Sequence, residues 1–180
     1  AAAAEHAPPA PVGGGLDHAI ITLAGRENLE RLLPLFTEHW AKTNLQDVEL
    51  LPGAAGLLTA LRGAGVTTAV FTNKRGYAAR EVCDFLKLTP LVAGVFGAED
   101  TPWVKPDPAF TRYVLGRLGA EPATTLMVGD SPFDLATAVN GGLAFIGVTT
   151  GTHDAGELRA AGATQVVAGL PEVGTALGLA

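Results

Sequence analysis

Two carboxylates four residues apart, Asp130 and Asp134, follow the apolar run Leu126-Met127-Val128 and a glycine, Gly129. Such a run reads as a buried parallel strand. Gly129 is expected to let the chain turn tightly where the strand ends. Asp130 then stands at the carboxyl end of that strand, where open α/β sheets place their ligands. Ser131 or Asp130 can cap the helix that follows, and Asp134 falls about one turn into it. The two acids can therefore face one crevice. Hard oxygen ligands at such a place suit Mg²⁺ better than zinc. A capped helix with an exposed acid in its first turn is the alternative reading of the same residues.

Two more strand ends carry chemistry. At Val70-Phe71-Thr72-Asn73-Lys74, a hydroxyl and nearby backbone donors can hold phosphate oxygens, or Thr72 and Asn73 can serve as turn and cap residues. At Val104-Lys105-Pro106-Asp107-Pro108, two prolines restrict the backbone around Lys105. That lysine can neutralise a phosphate and a neighbouring carboxylate, or stand as a loop lysine. Hydroxyl, cation and acid pair together are what phosphoryl transfer needs: positioning, charge neutralisation and a Mg²⁺ site.

These residues need a scaffold of alternating strands and helices. The pattern predicts helices over 54–64, 75–86, 108–118, 132–140, 154–161 and 171–177. It predicts strands over 66–71, 91–96, 125–128, 143–148 and 165–168. Gly119 and Gly141-Gly142 are expected to stop the helices before them. Repeated βα units of this length specify a parallel sheet covered by helices on both faces, a Rossmann-like α/β fold. Before this region, Leu16, Ile20 and Leu23 mark one helix. Leu29, Leu32, Leu33, Phe36 and Trp40 mark another, with Pro34 predicting a kink or a later start. The first fifteen residues, with Ala1 to Ala4, Pro8, Pro9, Pro11 and Gly13 to Gly15, break any regular pattern.

The composition is that of one domain, or one domain with a small insertion: 180 residues, 48% of them hydrophobic. A net charge of −6 gives no basic footprint for nucleic acid. It leaves room for an anionic substrate held by local positive charge. The single cysteine, Cys83, excludes an internal disulfide framework and a cysteine-rich metal site. No apolar run approaches the roughly 18 residues of a membrane span, and no basic, apolar leader is present. The expectation is a soluble, cytoplasmic protein without membrane partners. His18 and His39 have no second ligand at useful spacing. Tyr77 and Arg80 read as structural, and Trp103 as a site wall or a packing residue. His153 reads as a surface residue near the crevice.

In their order, Thr72-Asn73, Lys105-Pro106-Asp107-Pro108 and Gly129-Asp130-Ser131-Pro132-Phe133-Asp134 resemble the second, third and fourth motifs of the haloacid dehalogenase superfamily. Leu51-Pro52-Gly53, Ala138 to Gly142 and Val148-Thr149-Thr150-Gly151 resemble its phosphoglycolate phosphatase branch. The resemblance implies that residues 50–180 form the α/β core and residues 1–49 a remnant of a helical cap inserted after the first strand. It implies that Thr72 bonds the transferring phosphoryl oxygens with Asn73 nearby. Lys105 would balance the charge of phosphate and nucleophile. Asp130 would bind Mg²⁺, and Asp134 would support the metal directly or through water. The reaction implied makes an aspartyl-phosphate and then hydrolyses it.

The family's nucleophile ends an N-terminal strand in the pattern Asp-x-Asp-Gly-Thr, which does not occur here; the only acids before residue 27 are Glu5 and Asp17. The expectation is that the first strand, the nucleophile and part of the cap lie outside these 180 residues, and that the chain alone neither turns over nor folds well. The alternative aligns Ala19 to Gly25 with that strand, Thr22 and Ala24 replacing both aspartates, in an inactive relative that binds a ligand or a protein partner. The leading expectation is a Mg²⁺-dependent phosphatase of a small phosphorylated metabolite such as 2-phosphoglycolate, as monomer or homodimer. A sugar-phosphate mutase would need an acid–base pair in the cap, which residues 1–49 do not show. A 2-haloacid dehalogenase needs no Mg²⁺, and the Asp130 and Asp134 pair argues against it.

Overall fold

The computed structural model describes residues 13–179. The Ala- and Pro-rich start over 1–12 lies outside the described residues. Helix α1 (Leu16–Ala24) and helix α2 (Leu29–Thr43) pack against each other. Pro34 sits inside α2, whose first helical residue is Leu29 after a 3-10 turn at Arg26–Asn28. Because α1 is helical from Leu16, Thr22 and Ala24 do not stand at a strand end. The alignment of Ala19 to Gly25 with a first strand is thereby corrected.

From residue 54 helices and strands alternate. They are α3 (Ala54–Gly63), β1 (Val70–Arg75), α4 (Gly76–Phe85), β2 (Val95–Ala98), α5 (Pro108–Leu118), β3 (Leu126–Gly129), α6 (Pro132–Gly141), β4 (Ala144–Val148), α7 (Ala155–Ala160), β5 (Val166–Val167) and α8 (Leu170–Ala176). Every strand pairing is parallel. The expected single sheet is two: β1 with β2, and β3-β4-β5 in that order.

The three-stranded sheet is covered on both faces. Along β4 successive side chains alternate. Phe145 joins Leu135, Leu158 and Ala163 beneath α6 and α7, while Ile146 and Val148 join Val173 and Leu57 beneath α8 and α3. Fully burying Leu158 and Val173 contributes about 1.5–3 kcal/mol each.

Two strands, β1 and β2, start four residues later than expected. β1 runs over Val70–Arg75 rather than 66–71, and Val66 is exposed. Its extent follows its partner: Val70 pairs with Val95 in β2, which itself starts four residues later than expected. Gly129 is needed for a different reason than a tight turn. Its φ is not among the positive values, but a Cβ there would stand 2.3 Å from the Cβ of Asp134.

The two sheets leave facing edges. Within β1, the Val70 amide donates toward β2 to Gly94 (3.0 Å). Alternation in a parallel ladder then turns the Phe71 backbone the other way. Within β3, the carbonyl of Thr125 accepts from Ala144 (3.1 Å), which turns the Leu126 and Val128 backbones away from β4. The Phe71 and Val128 sides border one cavity, and among the described residues no strand joins them.

Candidate active site

A cavity of about 710 Å³ lies at the carboxyl ends of β1 and β3. Its polar end is lined by Thr72, Asn73, Lys105, Asp130 and Asp134, so all five residues singled out in the sequence meet there. Leu16, Ala19 and Leu23 of α1 and Phe36 and Trp40 of α2 form an apolar wall.

Asp134 anchors the floor. Ser131 caps α6: its hydroxyl accepts from the Asp134 amide, and the Asp134 side chain accepts back, a reciprocal capping box. Asp134 Oδ2 accepts from the Asp130 amide (3.2 Å), the Ser131 amide (3.1 Å) and the Ser131 hydroxyl (2.6 Å). Its Oδ1 accepts from Lys105 Nζ at 2.6 Å. Three of the four donors crowd Oδ2, and Oδ1 takes Lys105 alone. Lys105 and Asp134 are both buried, at 7% and 6% exposure, and Lys105 Nζ also donates to the Phe71 carbonyl (3.1 Å).

Asp130 differs. Its carboxyl has no ion-pair or side-chain hydrogen-bond partner among the described residues and lies against Gly151, where a Cβ would overlap its Oδ2. Burial pushes its pKa up, and the charge of Asp134 adds to the rise. Its backbone hydrogen bond and the charges of His153 and Lys105 act in the other direction. His153 thus stands close enough to be felt at the site.

Asn73 was expected to lie near the phosphate. Its side-chain amide instead ties three segments: Nδ2 donates to the carbonyls of Gly13 (2.8 Å) and Lys105 (3.0 Å), and Oδ1 accepts from the Lys105 amide (2.7 Å). Thr72 lines the cavity, and its Oγ1 accepts from the Lys74 amide (3.1 Å).

Sequence reasoning missed the approach of Gly13 to Gly15. A Cβ on Gly13 would meet Ser131 Oγ at 2.8 Å, and one on Gly15 the Asn73 carbonyl at 3.2 Å. The run of three glycines was the available signal, since close backbone approach tolerates no side chain. It also missed Tyr77 and Lys74 as cavity lining. Arg80 keeps the structural role expected of it, in a two-pronged ion pair with Asp100 (2.9 and 3.0 Å). His18 packs edge-on to Phe133, and Trp103 is partly exposed outside the cavity lining.

The donor set suits Mg²⁺ in one respect. Asp130 offers a free oxygen pair, and Mg²⁺ is commonly held by one or two carboxylates with water and substrate phosphate completing its shell. Among the described residues no group of three His, Cys, Asp or Glu side chains could cage a metal. That disfavours a closed zinc site.

A family model described as haloacid dehalogenase-like hydrolase matches residues 10–148. The phosphoglycolate phosphatase of Rhodospirillum rubrum is 39% identical over 119 residues, covering 66% of this chain and 49% of that protein. Phosphoglycolate phosphatase 1 of Pseudomonas aeruginosa is 30% identical over 162 residues, covering 90% of this chain and 58% of that protein. The chain spans about half the length of the curated relatives it matches. A haloacid dehalogenase-like family hydrolase of Streptococcus pneumoniae shares the fold at a TM-score of 0.81 and 17% identity, covering 92% of this chain and 77% of that one. With more than half its length matched by the model and its three motifs gathered around one cavity, the chain belongs to the haloacid dehalogenase-like hydrolase family.

Proposed function

We propose that this chain belongs to a Mg²⁺-dependent phosphatase of small phosphorylated metabolites, with 2-phosphoglycolate as the leading substrate. The observation that carries the reading is the meeting of Thr72, Lys105 and Asp130 at the polar end of one cavity. The relatives named for phosphoglycolate support the substrate. Residues 50–180 are the catalytic core in this reading, and α1 and α2 within residues 1–49 belong to the cap.

In the reaction, a carboxylate attacks phosphorus, the bond from phosphorus to the alcohol oxygen breaks, and the alcohol leaves with a proton. Water then cleaves the acyl phosphate and releases phosphate. In this reading the place for the attacking carboxylate is between the open edges of β1 and β3, where no strand lies among the described residues. Thr72 holds the phosphoryl oxygens through its hydroxyl. Lys105 neutralises charge on phosphate and nucleophile. Asp130 holds Mg²⁺, which when bound offsets the charge of the phosphoryl oxygens. Asp134, whose Oδ2 takes three donors and whose Oδ1 takes Lys105, fixes Lys105 and the Asp130 backbone and supports the ion through water. Asn73 positions the Lys105 loop.

The test is phosphate release from 2-phosphoglycolate and a panel of small phosphoesters by the protein that carries this chain, with Mg²⁺ and with EDTA. Release with Mg²⁺ that stops in EDTA is the expected result. A folded protein that releases no phosphate from any ester would overturn the reading in favour of an inactive ligand-binding relative.

A further inference from the structure

Of the five charged side chains lining the cavity, three are held in ion pairs. Lys105 is paired with Asp134, and Arg75 with Glu99 at 2.9 Å while also donating to Thr37 Oγ1. Asp130 is the open acid already assigned. The fifth, Lys74, has no carboxylate within ion-pair distance among the described residues. Its ammonium instead lies over the Trp40 ring, 4.2 Å from the centroid. Partial burial lowers its pKa from the usual lysine value. An ammonium held against an apolar wall gains from any anion that reaches it.

Its position relative to the phosphate end is set by the strand. Thr72 and Lys74 are two apart in β1, in the stretch where its register with β2 shifts, and the Lys74 amide bonds Thr72 Oγ1. Both line the cavity. A small molecule with its phosphate at Thr72 therefore directs a short tail toward Lys74 and Trp40.

We propose that Lys74, seated on Trp40 of α2, is a specificity residue that takes the carboxylate of a short phosphorylated acid while Thr72 and Lys105 hold its phosphate. This rests on the phosphatase reading above and adds a selection for an anionic tail. It also makes the helical pair part of the selection, because the ring that seats the lysine comes from α2 while the lysine comes from β1.

The experiment compares kcat/KM for 2-phosphoglycolate and for ethyl phosphate, which replaces the carboxylate with a methyl group, in the protein that carries this chain. The preference for 2-phosphoglycolate should fall roughly tenfold in Lys74→Met. The loss should be carried by KM rather than kcat, and Lys74→Arg should restore most of it. In a Trp103→Phe background, which leaves Trp40 as the sole tryptophan of this chain, 2-phosphoglycolate should change the emission and ethyl phosphate should change it less. An unchanged substrate ratio in Lys74→Met, or a loss that appears only in kcat, overturns the proposal while leaving the phosphatase reading intact. Turnover of neither ester by the unaltered protein overturns that reading, and this proposal with it.

Discussion

The strand ends on either side of the cavity are built in opposite ways. At the end of β3 the chain is wired to itself: the ladder with β4 runs evenly from Leu126 to Gly129, and Ser131, Asp130 and Asp134 bond one another over three and four residues. At the end of β1 the register with β2 shifts between Phe71 and Arg75. The partners there come from far along the chain: Gly13 and Lys105 for Asn73, Thr37 and Glu99 for Arg75, Trp40 for Lys74. The local end fixes where charge stands. The distant end ties α2 and the Lys105 loop to the cavity wall.

Substitutions should separate the two. The largest effect is expected at the ion pair that joins them, Lys105 with Asp134. Lys105→Met leaves a buried carboxylate without its cation and should cost about 3–5 kcal/mol in urea unfolding. A cost below about 1 kcal/mol would mean the pair contributes little to holding the two ends together. Asn73→Ala removes three hydrogen bonds at the β1 end and leaves the β3 end intact. It should cost roughly 1–3 kcal/mol, with faster amide exchange at Lys105 and no change at Ser131.

The smallest stability effect is expected away from the site. The hydrogen bond from Arg80 is the first cause that lowers the pKa of Asp100, with the Gly97 amide and the Arg80 charge adding to it against a burial penalty. A carboxyl lowered in the folded state contributes stability that is full above its unfolded value and lost as pH falls through the folded one. Between pH 5 and 2 the urea midpoint should therefore fall less steeply in Asp100→Asn than in the unaltered chain. For a partly exposed pair the difference should be at most about 1 kcal/mol.

The same contrast explains what could be read in the sequence. The β3 end and α6 were legible because their determinants are neighbours: an apolar run, a Ser at the N-cap, Pro132 in the first turn and an acid three residues after the cap. Helix α5 was legible to the residue, between Pro108 and the left-handed Gly119. The start of β1 was not, because a strand's extent is set by its partner rather than by its own β-branched residues. The role of Asn73 was not legible either, since Gly13 and Lys105 are 60 and 32 residues away. Nor does the spacing of Asp130 and Asp134 reveal that one would take four donors and the other no side-chain partner among the described residues. That depends on where Lys105 arrives.

That division of labour between the two acids is the central claim, and Asp130→Asn tests it most directly. Burial raises the pKa of Asp130 in the folded state, so the fold disfavours its charged form and stability falls as pH rises through that value. Removing the charge should leave the melting temperature unchanged or raise it at pH 7, by at most roughly 2–4 °C. Phosphate release by the protein that carries this chain should fall at least about 100-fold in the same variant. Retained activity, or a loss of folding like that expected of Lys105→Met, would contradict the account.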